Sequence, residues 1–331
     1  MNCAVIGAGA WGTALARVLA ENEHGVRLWA HEPEVVEAIN ARRENVVFLP
    51  GAALSSRISA SGSFHDAAEG ADLVVFAAPS RWLRAIARAS ATFVAPDATL
   101  VVATKGIEGG SLALMTQIVE CEVPGRQVVA LSGPSFASEV AAGQPTAIVA
   151  ASVSRDAARR VQEALSSRTL RVYSQSDVVG VELAGALKNV MAVATGIVEG
   201  VGLGLNSRAA LITRGLAEMT RLGVALGAHQ ATFAGLAGMG DLILTCTGSL
   251  SRNRAVGIDV GRGASLVEAL AGKVTVAEGV VTAQSARALA RRARVDMPIV
   301  DMVNRILFEG YPARSAVTEM MTRELRPEQD P

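Results

Sequence analysis

Lysine is nearly missing from this chain: of 31 basic residues only Lys105, Lys188 and Lys273 are lysines, and arginine supplies the rest. A chain that writes arginine wherever a plain positive charge suffices keeps lysine where a guanidinium cannot substitute. An amine can shed its proton near neutral pH and a guanidinium cannot. Lys105 and Lys188 stand among small and apolar residues, as Ala103-Thr104-Lys105-Gly106 and Ala186-Leu187-Lys188-Asn189-Val190, and read as working amines. Lys273 follows Ala271 and Gly272 at an expected helix end, where a cation is routine.

Cysteine is also scarce. Cys3, Cys121 and Cys246 are odd in number, far apart and without metal-ligand spacing. That argues against a disulfide framework and a zinc site, and it fits a reducing, cytoplasmic setting. Net charge is absent too, with 31 acids against 31 bases and no basic block set apart, so nucleic acid and anionic membrane are poor partners. The first residues carry no charged leader and run straight into a strand pattern. The most apolar stretch, residues 179–198, holds Glu182 and Lys188 and many small residues, which predicts a buried helix rather than a membrane insertion.

What is present is a chain of 331 residues, half of them hydrophobic, enough for two cores. Apolar β-type runs at 3–6, 26–29, 73–77, 100–103, 128–131, 147–150 and 170–173 are separated by helical patterns at 12–21, 33–42, 81–89 and 112–119. Continuously apolar strands alternating with helices predict a doubly wound, mainly parallel Rossmann-type α/β domain over residues 1–178. Beyond it the β signal stops. Residues 179–331 read as an all-helical substrate domain, with helices from a Ser207 cap to about Leu226, and over 251–260, 282–294, 299–308 and 313–325.

In open α/β sheets ligands bind beyond the carboxyl ends of the strands. After the first strand comes Gly7-Ala8-Gly9-Ala10-Trp11-Gly12, a glycine pattern that opens a helix and suits a pyrophosphate. Glu32 follows about 20 residues later, near the expected ribose position. It favours the free hydroxyl of NAD, whereas its neighbour His31, if protonated, accepts the extra phosphate of NADP. The two cofactors are not separated by these residues. Further strand ends offer Ala77-Ala78-Pro79-Ser80, then Thr104-Lys105-Gly106, then Ser132-Gly133-Pro134-Ser135-Phe136. Lys105 therefore belongs to the binding edge of the sheet.

On a helix, Lys188 shares a face with Ala184, Gly185, Met191 and Ala192. Short neighbours leave room around a long amine, and burial there would pull its pKa down toward working pH. Asn189, about 100° round the helix, either holds a neighbouring polar group or is simply solvated. Asp241, within Gly238-Met239-Gly240-Asp241, can orient an amine or accept from substrate hydroxyls. Ser251, Arg252 and Asn253 at a helix start combine a hydroxyl, a forked guanidinium and an amide, a set suited to phosphate.

Taken in order, these segments resemble the soluble NAD(P)-dependent glycerol-3-phosphate dehydrogenase family. The likeness runs through GAGAWGTALA at 7–16, residues 104–108, GPSFASE at 133–139, Leu187 to Asn189, GLNSRAALITRG at 204–215, GLAGMGDLILTC at 235–246, SRNR at 251–254 and VAEGVVT at 276–282. The resemblance implies that Lys188 donates and accepts the proton, with Lys105, Asp241 and Asn189 completing the reactive site. It implies that Gly133, Ser135, Ser251, Arg252 and Asn253, with the two lysines and Asp241, hold glycerol phosphate. Ala10, Trp11, His31, Lys105, Ala137, Arg252, Val276 and Glu278 match positions associated with cofactor, and His31 leans toward NADP. Asn206 followed by Ser207 is a minor variation.

The implied reaction is reversible hydride transfer between sn-glycerol 3-phosphate and dihydroxyacetone phosphate, feeding phospholipid synthesis. A hydroxyacid or hydroxyisobutyrate-type dehydrogenase of the same two-domain plan is the nearest alternative, and would want a carboxylate site. A non-catalytic dinucleotide sensor is another, against which three reactive centres converging on one cleft argue. Glycine- and alanine-rich helices fit a homodimer and fit burial within one chain equally well.

Overall fold

The computed structural model describes residues 1–272, 277–325 and 327–328. Its strands are β1 (Asn2–Ile6), β2 (Gly25–Trp29), β3 (Glu44–Asn45), β4 (Leu49–Ala53), β5 (Ile58–Ser61), β6 (Leu73–Phe76), β7 (Thr99–Val102), β8 (Gln127–Ser132), β9 (Thr146–Ala151) and β10 (Leu170–Gln175). Eight of them form one sheet in the order β10-β9-β8-β7-β6-β1-β2-β5. Every neighbouring pair is parallel except β8 with β9. Successive side chains leave a strand on opposite faces, and here both faces are covered. Cys3, Val5, Leu73 and Val75 pack with Leu15 and Leu19 on one side, while Ala4, Ile6, Val74 and Phe76 pack with Leu83 and Leu100 on the other. The doubly wound expectation holds.

From β1 the sheet grows one way through β2 to β5 and the other way through β6, β7 and β8. The chain direction of assembly reverses at β1 and β6, and this opens a crevice beyond their carboxyl ends.

Several local expectations are corrected. Leu112 has φ +61, a conformation no helix interior tolerates, so the helix expected at 112–119 is Met115–Glu122 instead. The pattern at 33–42 is an α-helix, Pro33–Glu37, that widens into a π-turn, Ala38–Arg42. Ser207 does not cap its helix: extended backbone at Gly204 starts it earlier, as Leu205–Ala225. The helix expected at 313–325 stops at Met321. Missed altogether are the antiparallel β3–β4 pair, the short strand β5 and the helix Arg155–Leu165.

The helical half is built round one rod, Val178–Gly200, whose residues from Gly180 to Val198 are all buried. It is long and apolar enough to cross a membrane, yet 94% of its apolar window is buried inside the protein. Gly196 and Gly200 face Gly257 and Gly261 of the helix Arg252–Gly261. A Cβ on Gly257 would stand 2.1 Å from the Val193 carbonyl oxygen, and one on Gly196 would stand 2.1 Å from that of Arg254. Backbone lies on backbone, so burial within one chain accounts for these glycines. The contact also fixes the start of the Arg252–Gly261 helix beside Asn189.

A buried carboxylate supports this half. Glu218 on Leu205–Ala225 accepts from the Ile299 N–H at 2.9 and 3.1 Å and the Val300 N–H at 3.4 Å, at the first turn of Pro298–Phe308. Burial pushes Glu218 from 4.5 up to about 7, and those N–H groups offset it only in part. A carboxyl whose folded pKa is raised stabilises fully below its unfolded pKa, and that stability is lost as pH rises through the folded value. Glu218→Gln should therefore flatten the decline in stability between pH 4.5 and 7, by about 1–3 kcal/mol. Urea unfolding of both proteins at pH 5 and pH 8 measures it; equal differences would remove Glu218 as the source.

Candidate active site

The glycine loop after β1 has the geometry its sequence asks for. Gly7 has φ +120, and a Cβ there would press on the Ala77–Ala78 backbone at 2.8 Å. A Cβ on Gly12 would meet the Gly7 carbonyl oxygen at 1.9 Å, while Gly9 opens to free space. The helix that follows, Ala10–Glu21, has no side-chain cap and no acid in its first turn. Its leading N–H groups are thus available to an anion. Trp11 adds a buried indole Nε1 with no hydrogen-bond partner among the described residues. Uncapped N–H groups, an orphaned donor and a glycine cradle together fit a dinucleotide pyrophosphate.

Asn45 holds this loop from behind. Fully buried, it donates from Nδ2 to the Ala8 carbonyl and to Thr13 Oγ1, both at 2.8 Å, and accepts from the Phe48 N–H at 3.0 Å. No local signal marks Asn45, which stands in a stretch that reads as loop. His31 and Glu32 follow β2, His31 exposed with its ring 6.3 Å from that of Trp29, and Glu32 half-buried at the start of Pro33–Glu37. Ala137 begins the helix Ala137–Ala141 and packs on the same core as Ala10 and Trp11.

Glu278, from the helical half, reaches across to the end of β6. Its carboxylate accepts from the Ser80 N–H at 3.0 Å and from the Ser80 hydroxyl. Burial raises its pKa, with those two bonds and the charges of Arg252 and Arg81 opposing. Val276, expected near the cofactor, lies outside the described residues, as does Lys273.

Two of the three lysines meet on one carboxylate. Lys105 Nζ donates to Asp241 Oδ2 at 2.6 Å, and Lys188 Nζ donates to Asp241 Oδ1, also at 2.6 Å. Lys105 also donates to the Gly133 carbonyl at 3.2 Å, and Lys188 to Thr245 Oγ1 at 2.8 Å. Asp241 is fully buried and the side chain of Lys188 is only 10% exposed. The amine thus comes from the helical half, as expected, and points to the end of the sheet where Lys105 and Gly133 lie. Burial is the main force drawing Lys188 from 10.5 down to about 8, Asp241 pulls the other way, and the Lys105 charge lowers it further. Thr245, one helical turn after Asp241, completes the cradle through its hydroxyl, which donates to the Asp241 carbonyl at 2.7 Å.

Asn189 does not join this cluster through a side-chain bond to a lysine or to Asp241. It is buried, and its Oδ1 accepts from Asn253 Nδ2 at 2.9 Å, while Asn253 Oδ1 accepts from the Gly279 N–H at 2.9 Å. The two amides tie three helices together beside the lysines. Ser251 caps Arg252–Gly261, accepting from the Arg254 N–H at 3.3 Å. Arg254 is spent on Glu199, at 2.7 to 3.0 Å. Arg252 is exposed and makes no side-chain hydrogen bond to a described residue, which leaves its fork open to a ligand. Ser135 Oγ donates to the Gly133 carbonyl at 3.1 Å.

Comparison with known proteins identifies the family. Residues 2–158 match the family model for the NAD-dependent glycerol-3-phosphate dehydrogenase N-terminus, and residues 177–318 match that for its C-terminus. The chain is 54% identical over 328 residues to "Glycerol-3-phosphate dehydrogenase [NAD(P)+]" of Geobacter metallireducens, and 53% identical over 328 residues to the protein so named from Citrifermentans bemidjiense. Each alignment covers 98% of both chains. Among solved structures, the glycerol-3-phosphate dehydrogenase of Coxiella burnetii superposes with a TM-score of 0.94 at 38% identity, covering 97% of this chain and 99% of that one. The chain belongs to the NAD-dependent glycerol-3-phosphate dehydrogenase family.

Proposed function

We propose that this protein interconverts dihydroxyacetone phosphate and sn-glycerol 3-phosphate, with Lys188 as the proton donor and acceptor. The observation that carries the reading is the pair of amines on one buried carboxylate at the crevice, 2.6 Å on either side of Asp241. Bound in that crevice, NAD(P)H supplies the hydride. The residues do the rest. Lys188, lowered to about 8, is placed to give a proton to the carbonyl oxygen in reduction and to take it back in oxidation. Lys105 adds a second cation where negative charge develops on that oxygen. Asp241 holds both amines still, and Thr245 fixes the direction of Lys188.

Residues 1–178 take the dinucleotide in this reading, through Gly7, Gly9, Ala10, Trp11, Gly12, His31, Glu32, Lys105 and Ala137, joined by Glu278 from the helical half. Residues 179–331 supply the acid–base group and, with Gly133 and Ser135 from the sheet side, the phosphate site at Ser251, Arg252 and Asn253. His31 inclines the choice toward NADP. The product suits a cytoplasmic supply of glycerol phosphate for phospholipids, and pairing of two chains remains part of the proposal.

The deciding assay is reduction of dihydroxyacetone phosphate followed with NADH and NADPH side by side. No oxidation of either would sink the reading. Equal rates on dihydroxyacetone without its phosphate would remove the phosphate site. Arg252→Ala should raise KM for the phosphorylated substrate by about 10- to 100-fold, the worth of one charge-assisted contact. An unchanged KM would free Arg252 from that role.

A further inference from the structure

Behind Lys105 lies a small, partly enclosed cavity of about 10 Å³, lined by Thr104, Lys105, Ser132 and Glu182 among apolar residues. A space of this size holds about one water, provided polar groups face it. Two polar groups there have capacity to spare. Ser132 Oγ is buried and has no hydrogen-bond partner among the described residues. Glu182, from the central helix, accepts from the Thr116 N–H at 2.8 Å and from the Thr116 hydroxyl. Each oxygen of a carboxylate can accept a second bond. The other polar side chains of the lining have their main partners elsewhere. Thr104 donates to the Ala78 carbonyl at 2.7 Å, and the Lys105 ammonium is taken by Asp241 and Gly133.

The groups are close for a definite reason. Glu182 and Gly185 are three residues apart on the central helix and so share a face. A Cβ built on Gly185 would stand 2.6 Å from Ser132 Oγ and 3.6 Å from Cγ and Cδ of Lys105. The end of β8 and the lysine stem therefore rest on the helix face that carries Glu182. Ser132 immediately precedes Gly133, whose carbonyl fixes Lys105.

We infer that one water, bonded to the Ser132 hydroxyl and the Glu182 carboxylate, pins the end of β8 to the central helix and makes both side chains positioning residues for Lys105. The inference deepens the dehydrogenase reading and rests on it. Burial pushes Glu182 up to about 7, with the Thr116 bonds and the Met115 N–H offsetting it only in part. A bridging water adds a further donor. Neither Ser132 nor Glu182 touches Lys188 through a hydrogen bond, so both act on the reaction only through the placement of Gly133 and Lys105.

The test compares Ser132→Ala, Glu182→Gln and the double variant in the full chain, with dihydroxyacetone phosphate and reduced cofactor at saturation. Loss of support for Lys105 should lower kcat about tenfold in each single variant, since misplacement of a site group far from the chemistry is felt at this scale or above. Cofactor affinity, read by fluorescence titration, should stay within twofold. Two groups joined by one water should not lose twice, so the double variant should match the weaker single variant. Multiplying losses, or a Ser132→Ala variant with unchanged kcat, would overturn the inference. If Glu182→Gln fails to fold, Ser132→Ala alone decides. A crystal structure gives an independent reading: an ordered water within hydrogen-bond reach of both side chains supports the site, and its absence overturns it. Lack of reduction by the unsubstituted protein would sink the dehydrogenase reading instead, leaving the crystallographic result to judge the water.

Discussion

Replacing Lys188 by arginine is expected to cut turnover by about 10² to 10⁴ while leaving cofactor binding near normal, the range over which a positioned acid or base typically contributes. The charge is conserved in this variant, so electrostatic attraction for substrate is not what is removed. What is removed is the ability to release a proton near neutral pH. The unsubstituted protein should reveal that ability in its pH dependence, because Lys188 is held near 8 by burial against the opposing pull of Asp241. Ketone reduction needs the ammonium, so its rate should fall as pH rises through about 8. Alcohol oxidation needs the free amine, so its rate should climb over the same interval. Both limbs should vanish in Lys188→Arg. Arginine is also bulkier, and the pocket is tight, so far-ultraviolet circular dichroism and cofactor titration must accompany the kinetics. A folded, cofactor-binding variant with ordinary turnover would exclude Lys188 from proton transfer.

The rarity of lysine points to two of the participants, and the strand ends point to where they meet. Both signals are local in the sequence: a residue choice at one position, and a hydrophobic run followed by small polar residues. The apolar strands of the parallel sheet were legible for the same reason, since burial on both faces leaves a continuous apolar run. The edge strand β5, Ile58-Ser59-Ala60-Ser61, is half polar and borders the sheet, so its pattern resembles a loop. Pro50 and Gly51 disguise β4 in the same way. The helix Arg155–Leu165 could have been found, because Ser154 caps it and Ala157, Ala158, Val161, Ala164 and Leu165 line one face.

Long-range contacts were less accessible. Nothing near Asn45 in the sequence reveals that it clamps the glycine loop, and nothing near Ser80 reveals that Glu278, 198 residues away, will accept its N–H. Asn189 illustrates the opposite limit. Its place next to Lys188 suggested chemistry, but one step along a helix turns a side chain by about 100°, and that carries it to Asn253 rather than to the amines. The family resemblance supplied the phosphate set, and the structure separates its arginine from the neighbouring one outside the set. Arg252 is open, whereas Arg254 is consumed by Glu199.

Asp241→Asn should be nearly as damaging to ketone reduction as loss of Lys188 itself, and by a different route. The carboxylate gives one oxygen to each amine at 2.6 Å, and it is fully buried. An asparagine offers one acceptor and turns N–H donors toward the other ammonium, so one lysine loses its partner and meets a donor instead. Removing one partner of a buried ionic cluster costs about 3–5 kcal/mol when the remaining charges stay. Here part of that cost can be escaped, because Lys188 can release its proton. The attraction of Asp241 is the largest influence holding the Lys188 value up, and the Lys105 charge, no longer balanced, presses it down. The limb expected near pH 8 should therefore move to lower pH, leaving Lys188 largely neutral at pH 7 and without a proton to give. Reduction at pH 7 should fall by about 10² or more, whereas oxidation, which needs the neutral amine, should suffer less and lose much of its dependence on pH. That asymmetry separates the mechanism from simple disruption of the site, which would depress both directions alike. A pH–rate profile measured in both directions decides it: a limb that stays near 8 in a folded Asp241→Asn protein would mean that the carboxylate orients the amines without setting their affinity for protons.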